Sequence, residues 1–258
     1  MRGHIWVMDQ IIHPIARQDD PKEAITALAT RYRRANGPVM RLVNRLGGSL
    51  ESQMALVPGQ VRDQLERTVA RALEASYGLA GRAPDMGDRG GMAAVIASGA
   101  AGGAGGIATA LAELPVTVTL ILNAIRGAAA EVGLDPEEPW VQAECLRVFG
   151  AGSPLAGDDG VNTSFLTARL TITGAAVQNL IAKVAPKLAL VLGQKLAAQA
   201  VPVLGAVTGA ALNAAFLSYY REVARIRFAL LRLAEVHGAE PVLEAFAAAV
   251  EPPKIIRV

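Results

Sequence analysis

The sequence predicts an all-α protein, a multi-helix bundle with a Gly/Ala-rich helical hairpin and one long heptad-patterned helix in its C-terminal part. Hydrophobic residues make up 52% of the 258 residues but aromatic residues only 4%, so that the apolar content is mostly Ala, Leu and Val. Ala and Leu favour helices, whereas strands are enriched in β-branched and aromatic residues. The apolar residues also recur at helical spacing, and no segment shows the alternation of an amphipathic strand.

Capping residues and periodicity place the first helices. Asp20-Pro21 begins a helix predicted over about residues 21–35. An apolar residue at every fourth position from Val57 to Leu73 predicts an amphipathic helix over about residues 58–77. The predicted division of the chain is a basic helical extension (1–56), a helical domain (57–250) and a tail (251–258).

The segment after residue 90 predicts two closely packed helices. Glu113 is the only charged residue between Gly90 and Ile125. Glycines four residues apart, Gly99 and Gly103, let helices approach each other. Leu114-Pro115 is expected to break the run, with a second helix from about residue 115 to 132. Because Ala and Gly give little insertion energy, we expect a hairpin that is buried or lies at a membrane surface, not one that spans the bilayer.

The long helix near the C-terminus is the best-defined element. Its heptad-like stripe steps alternately by four and three residues from Gly205 through Gly209 to Leu233, and His237-Gly238 ends the helix. The first part of the stripe is small, so that a partner helix can come close, and the later part is large enough to fill a core. Other helices are predicted over about residues 139–149, 161–196 with an interruption near Pro186, and 240–250.

The net charge of +2 conceals an uneven distribution, with +4 in residues 1–82, −7 in 83–160 and +5 in 161–258. The segment between Glu23 and Glu51 has a basic surface of five arginines and no acid: Arg31, Arg33, Arg34, Arg41 and Arg45. Without interleaved aromatic residues or a recognition motif, nucleic acid is not the expected partner. An anionic membrane surface fits better, and a simply solvated face is the alternative.

Known catalytic and metal-binding motifs are missing from the sequence, and we predict no cofactor and no metal. The three histidines are isolated, and neither a zinc, a hydrolase-elbow nor a P-loop motif occurs. A single cysteine, Cys145, permits no disulfide and is expected to be buried and inert. With no apolar leader at the N-terminus, we expect a cytoplasmic protein, peripheral at the inner face of the membrane.

Three residues are candidates for ligand or partner contacts. Glu113 is the sole acid of a long apolar stretch, which can mark a binding or relay site, although a carboxylate at a helix start is also stabilised by the helix dipole. Arg126 could be its partner or could contact lipid phosphate. Asn213 lies one position off the heptad stripe and is expected to form an interhelical hydrogen bond.

Several spaced blocks resemble the EcsC family. They are Glu113-Leu114-Pro115 with a helix ending in Arg126, then Cys145-Leu146-Arg147-Val148-Phe149-Gly150, and then Val201 to Ala206 with Gly209, Asn213, Phe216 and the segment 224–238. The resemblance covers roughly residues 60–240, although the extreme Ala/Gly content at 92–110 departs from the family. It implies an all-helical bacterial protein. The family is named after a gene beside an ABC transporter, and it carries no established enzymatic activity.

Three functions follow as expectations. The first is a non-enzymatic protein that associates peripherally with membrane lipid or with an ABC-transporter-type membrane partner for transport or secretion. The second is a soluble binding protein for an apolar or lipid-like ligand. The third is an enzyme that uses Glu113 and Arg126 in one pocket.

Overall fold

The computed structural model describes residues 21–35, 59–78, 87–105, 107–150, 174–198 and 205–250. Within these ranges the chain forms eight α-helices and no strand, which confirms the predicted fold class. The helices are α1 Lys22–Ala35, α2 Gly59–Gly78, α3 Gly87–Ala104, α4 Ile107–Glu131, α5 Pro139–Gly150, α6 Gly174–Ala198, α7 Gly205–His237 and α8 Ala239–Val250. The predicted domain boundary after residue 56 falls outside the described residues, and the one after residue 250 coincides with the end of the last described range.

Helices α3, α4 and α7 form the centre of the bundle. α3 and α4 are only two residues apart in sequence and pack as an antiparallel hairpin, and both contact α7. Gly103 of α3 lies against Gly205 of α7, and Asp88 of α3 pairs with Arg221 of α7, so that α3 and α7 also run antiparallel. The hairpin turn and the first residue of α7 therefore lie at the same end of the bundle.

Two prolines lie inside helices that the sequence predicted to break there. Pro115 is inside α4, and Pro186 is inside α6. A proline within a helix costs about 3 kcal/mol, but the neighbouring turns of α4 bury Leu114 and Val118 completely or nearly so in the core. Tertiary packing outweighs the local penalty. Glu113 consequently lies in the second turn of a continuous helix, and its predicted place at a helix start is wrong.

The core of the protein has two clusters, and α7 contributes to both. The larger cluster is built by α2 to α7 around side chains such as Leu114, Ile125 and Phe216. The smaller one joins α1, α8 and the C-terminal part of α7, where Tyr32 and Phe246 meet edge to face with ring centroids 6.1 Å apart. Every residue of the predicted heptad stripe of α7 is buried. Because the C-terminal part of α7 packs on two sides, residues off the stripe are buried there as well.

Glycines in the left-handed region terminate two central helices. Gly133, with φ of 74°, follows α4, and the amides of Gly133 and Leu134 donate to the carbonyls of Ala130 and Ala129 in a Schellman arrangement. Arg232 of α7 donates to the carbonyl oxygens of Val132 and Gly133 at 3.0 and 2.9 Å. Gly238, with φ of 87°, ends α7 as predicted.

Among the described residues, one helical segment, Ala108–Glu131, is long and apolar enough to cross a membrane, and 44% of its most apolar stretch is buried in the bundle. Core helices of soluble bundles share this length and apolar character.

Candidate functional site

A buried polar cluster lies where α3, α4 and α7 meet. The Oε1 atom of Glu113 accepts hydrogen bonds from the Ser98 hydroxyl at 2.6 Å, from the Asn213 amide at 2.8 Å and from the Thr117 hydroxyl. Glu113 is 8% exposed, and Asn213 is fully buried. Three helices thus converge on one carboxylate oxygen, and this holds the Glu113 side chain in a single orientation.

The Asn213 amide is the link between the hairpin and α7 in this cluster. Its Nδ2 atom lies 2.8 to 3.1 Å from three acceptors, namely Glu113 Oε1, Thr117 Oγ1 and the carbonyl oxygen of Val95. Its Oδ1 atom is buried and has no hydrogen-bond partner among the described residues. This places the predicted interhelical hydrogen bonder at the centre of the cluster.

Glycines make this convergence possible. A Cβ atom at Gly99 would lie 2.3 Å from the carbonyl oxygen of Gly209, and one at Gly103 would lie 1.9 Å from that of Gly205. A Cβ atom at Gly102 would lie 2.9 Å from Cβ and Cγ of Glu113. The two small-residue segments singled out in the sequence therefore pack directly against each other. Gly102 makes room for the carboxylate.

Arg126 is remote from this cluster. It is thirteen residues beyond Glu113 on the same continuous helix, an axial separation of about 20 Å. Its guanidinium pairs with Glu137, a half-exposed residue that precedes α5. The structure does not bring Glu113 and Arg126 into one pocket, which is the geometry that the enzymatic alternative requires.

One arginine of the predicted basic surface forms an ion pair with another helix of the bundle. Arg31 forms a two-point ion pair with Glu222 of α7, with Nε–Oε1 and Nη2–Oε2 distances of 2.6 and 3.0 Å. Arg33 and Arg34 are exposed on the same helix. Arg41 and Arg45 lie outside the described residues. Glu222 is about 25 Å along α7 from Gly205, so these arginines are not at the hairpin-turn end of the bundle.

A buried ion cluster between α5 and α7 was missed by the sequence analysis. Arg227 donates from Nε and Nη2 to Oε2 of Glu144 at 3.0 and 2.6 Å, and Arg147 pairs with the other oxygen of the same carboxylate. Burial lowers the pKa of Arg227, although the Glu144 carboxylate opposes that shift. The neighbouring Cys145 is 1% exposed, and burial raises the pKa of its thiol to about 12. This thiol is buried as predicted, and its raised pKa makes it unreactive near neutral pH.

Sequence signals for the missed residues differ. Thr117 is four residues after Glu113, so helical spacing alone could have paired them. Ser98 and Arg227 gave no such signal, because their partners lie 15 and 83 positions away.

The part of the three central helices that lies towards the hairpin turn carries no exposed charge. We call it the uncharged end and define it as residues 90–104 of α3, 107–125 of α4 and 205–220 of α7. The one charged residue within these segments is the buried Glu113. Three of the four large hydrophobic side chains that are exposed among the described residues lie here: Ile96 at 41%, Val116 at 50% and Val207 at 74%.

The rest of the uncharged end exposes mostly small side chains, and the charged residues of the hairpin lie at its opposite end. Its exposed residues include Ala93, Ala97, Ala101, Ala108, Ala112 and Ala211. At the opposite end of the hairpin, Arg225 pairs with Glu131 and Asp88 at 2.6 and 3.1 Å, and Arg221 pairs with Asp88 at 2.7 Å. These arginines hold the pKa of Asp88 below its usual value.

In the described part of the chain, no group of three or more His, Cys, Asp or Glu residues could hold a metal ion. A search of curated proteins found no match to this sequence, and a search of solved structures found none. The model of the EcsC protein family matches residues 89–233, which run from α3 into the C-terminal part of α7. The match covers more than half of the chain, including the polar cluster, the glycine contacts and the buried ion cluster. The chain therefore belongs to the EcsC protein family.

Proposed function

We propose that this protein is a non-enzymatic helical protein that associates peripherally with membrane lipid through the uncharged end. The observation that carries this proposal is the exposure of Ile96, Val116 and Val207 on a surface without exposed charge. Three of the four large apolar side chains that are exposed among the described residues lie in segments without exposed charge, and this uneven distribution supports an interaction site there.

The size of the apolar surface favours reversible association. Full burial of a Val or Ile side chain contributes about 1.5–3 kcal/mol. With exposed fractions of 41%, 50% and 74%, the three side chains together would contribute about 2.5–5 kcal/mol if all of them entered the interfacial region. This suffices for weak, reversible docking and is far from the stable insertion of a spanning helix.

The arginines of α1 do not contribute to this contact. Arg33 and Arg34 lie beside Arg31, which pairs with Glu222 about 22 Å along α7 from Val207. That separation is more than two Debye lengths, which are about 8 Å each at physiological ionic strength. An anionic membrane surface as partner of the basic surface stays a separate prediction.

Vesicle flotation of the full chain tests the proposal. We expect the wild type to float with phosphatidylcholine vesicles and Val207→Glu to stay in the soluble fraction. Val236→Glu is the matched control, because Val236 is 56% exposed near the other end of α7. If both variants float as well as the wild type, the uncharged end does not bind lipid.

Two other functions would give different results. A membrane partner protein at the uncharged end predicts no flotation with pure lipid but flotation with membranes that contain the partner, lost in Val207→Glu. A soluble protein for an apolar ligand predicts a co-purified lipid in native mass spectrometry and no vesicle binding. The exposure of these side chains favours a contact at the surface over an internal cavity for an apolar ligand.

A further inference from the structure

We propose that the buried polar cluster between α3, α4 and α7 is a binding site for one monovalent cation, and that Na⁺ is the ion that fits it. The ligands are oxygen atoms of Glu113, Thr117 and Asn213, which the fold brings together in the core. The site lies inside the bundle and uses none of the exposed apolar side chains, so it does not depend on the proposed lipid contact.

The amide oxygen of Asn213 is the atom that points to a ligand. Asn213 is fully buried, and its Oδ1 atom has no hydrogen-bond partner in the described part of the chain. Buried polar atoms are nearly always paired, because an acceptor removed from water without a partner is costly. An amide oxygen accepts a hydrogen bond or coordinates a cation, so a group of either kind completes the site.

The distances place further oxygen atoms around this acceptor. Nδ2 of Asn213 lies 2.8 Å from Oε1 of Glu113 and 2.9 Å from Oγ1 of Thr117. The oxygen and nitrogen atoms of one amide group are about 2.2 Å apart. Oδ1 therefore lies within about 5 Å of both the carboxylate and the hydroxyl oxygen. A single ion between these atoms can touch all three of them.

The donor set selects a monovalent ion. Carboxylate, hydroxyl and amide oxygens are hard ligands, which suit alkali and alkaline-earth ions and not zinc or copper. Glu113 is the only charged residue in segments 90–125 and 196–220, so these helices bring one carboxylate to the cluster. One carboxylate balances one positive charge, whereas Ca²⁺ sites combine several carboxylates with neutral oxygens. Such a site differs from a cluster of several His, Cys, Asp or Glu residues, which the described residues do not form.

The spacing of the ligands favours Na⁺ over K⁺. Na⁺ has nearly the radius of Ca²⁺, whose oxygen ligands lie at about 2.3–2.6 Å. Two oxygen atoms on opposite sides of such an ion are about 5 Å apart, which is the upper limit found here, and the larger K⁺ needs a wider spacing. Glu113 is 8% exposed, so the carboxylate is not completely sealed from solvent and an ion can reach it.

Urea unfolding of the full chain in about 200 mM NaCl, KCl or choline chloride tests the proposal. Equal ionic strength keeps the screening of surface charges the same in the three salts. An ion that binds only the folded state stabilises it by mass action. With a dissociation constant of about 20 mM, the unfolding equilibrium constant should be about tenfold smaller in NaCl than in choline chloride, and KCl should have less effect.

Variants of the ligands locate the ion. Glu113→Gln removes the charge at nearly constant size and should abolish the response to Na⁺, whereas Glu137→Gln, at a half-exposed carboxylate outside the cluster, should keep it. Asn213→Asp keeps an oxygen atom at this position and adds a negative charge, so its response to Na⁺ should exceed that of the wild type. Sodium NMR line broadening gives a second readout on the folded proteins, and circular dichroism checks that each variant is folded.

Each outcome bears on the site. Equal unfolding constants of the wild type in all three salts overturn the proposal, whether or not the variants fold. A Na⁺ response that persists in Glu113→Gln places the ion elsewhere and overturns it as well. Equal responses to Na⁺ and K⁺ that disappear in Glu113→Gln overturn the choice of ion and support the site. Vesicle flotation is measured separately, so failure of the cation site is distinguishable from failure of lipid contact.

Discussion

A methyl group added at Gly99 tests whether backbone contact between α3 and α7 holds the central helices together. The Cβ atom of Gly99→Ala would lie 2.3 Å from the Gly209 carbonyl oxygen and 2.7 Å from Nδ2 of Asn213. Ordinary contact begins near 3.4 Å, so the two helices must move apart by about 1 Å. Gly209 lies inside α7, where the carbonyl cannot rotate away without breaking the helix.

The magnitude follows from two opposing effects. Overpacking of a core costs about 1–3 kcal/mol, and contact with a backbone atom puts Gly99→Ala near the upper limit. Ala in place of Gly within a helix returns about 0.5–1 kcal/mol. We therefore expect the free energy of unfolding to fall by about 2 kcal/mol. Gly91→Ala is the matched control on the same helix, since nothing lies within 4 Å of the added Cβ, and it should raise that free energy by about 0.5–1 kcal/mol.

Urea unfolding followed by circular dichroism measures both variants. A difference of about 3 kcal/mol between them separates the two midpoints by at least about 1 M urea at the usual dependence on denaturant. Equal midpoints for Gly99→Ala and Gly91→Ala would show that α3 and α7 do not rely on backbone contact. A loss in Gly91→Ala would instead refute the open space around that position.

Three further predictions concern charged and titratable groups. Glu144→Gln leaves the buried Arg227 without its counter-charge and should lower the free energy of unfolding by about 3–5 kcal/mol. Glu137→Gln removes a half-exposed carboxylate and should cost less than about 1 kcal/mol in the same urea assay. Cys145, with a thiol pKa of about 12, should not react with Ellman's reagent in the folded protein near neutral pH but should react fully in urea; rapid labelling of the native state would contradict its burial. The pKa of Asp88 is lowered in the folded state, so its carboxylate stabilises the protein above the unfolded pKa, near 3.8, and this stabilisation disappears as the pH falls through the folded pKa. We therefore expect Asp88→Asn to be less stable than the wild type at neutral pH and equally stable in strong acid. A stability difference that stays constant across the pH range would exclude this linkage.

Local periodicity determined much of the fold. The α-helical class, the hairpin and the extent of α7 depend on spacing within one segment, which a sequence displays directly. The two glycine pairs, Gly99 with Gly103 and Gly205 with Gly209, could also be identified from the sequence, because glycines four residues apart in a helix mainly occur where another backbone comes close. What could not be read from either segment alone is that these two glycine pairs face each other.

Tertiary packing decided the remaining features. The continuity of α4 through Pro115 comes from core burial on both sides of the proline, and a local rule predicts a break there. The partners of Glu113 include Asn213, which is 100 positions away, and Arg227 is buried because α7 packs on two sides. Helical spacing tells which residues share a face, but which helix covers that face depends on how the whole chain packs. The buried carboxylate clusters, and the uncharged surface left over after packing, therefore became visible only in the folded protein.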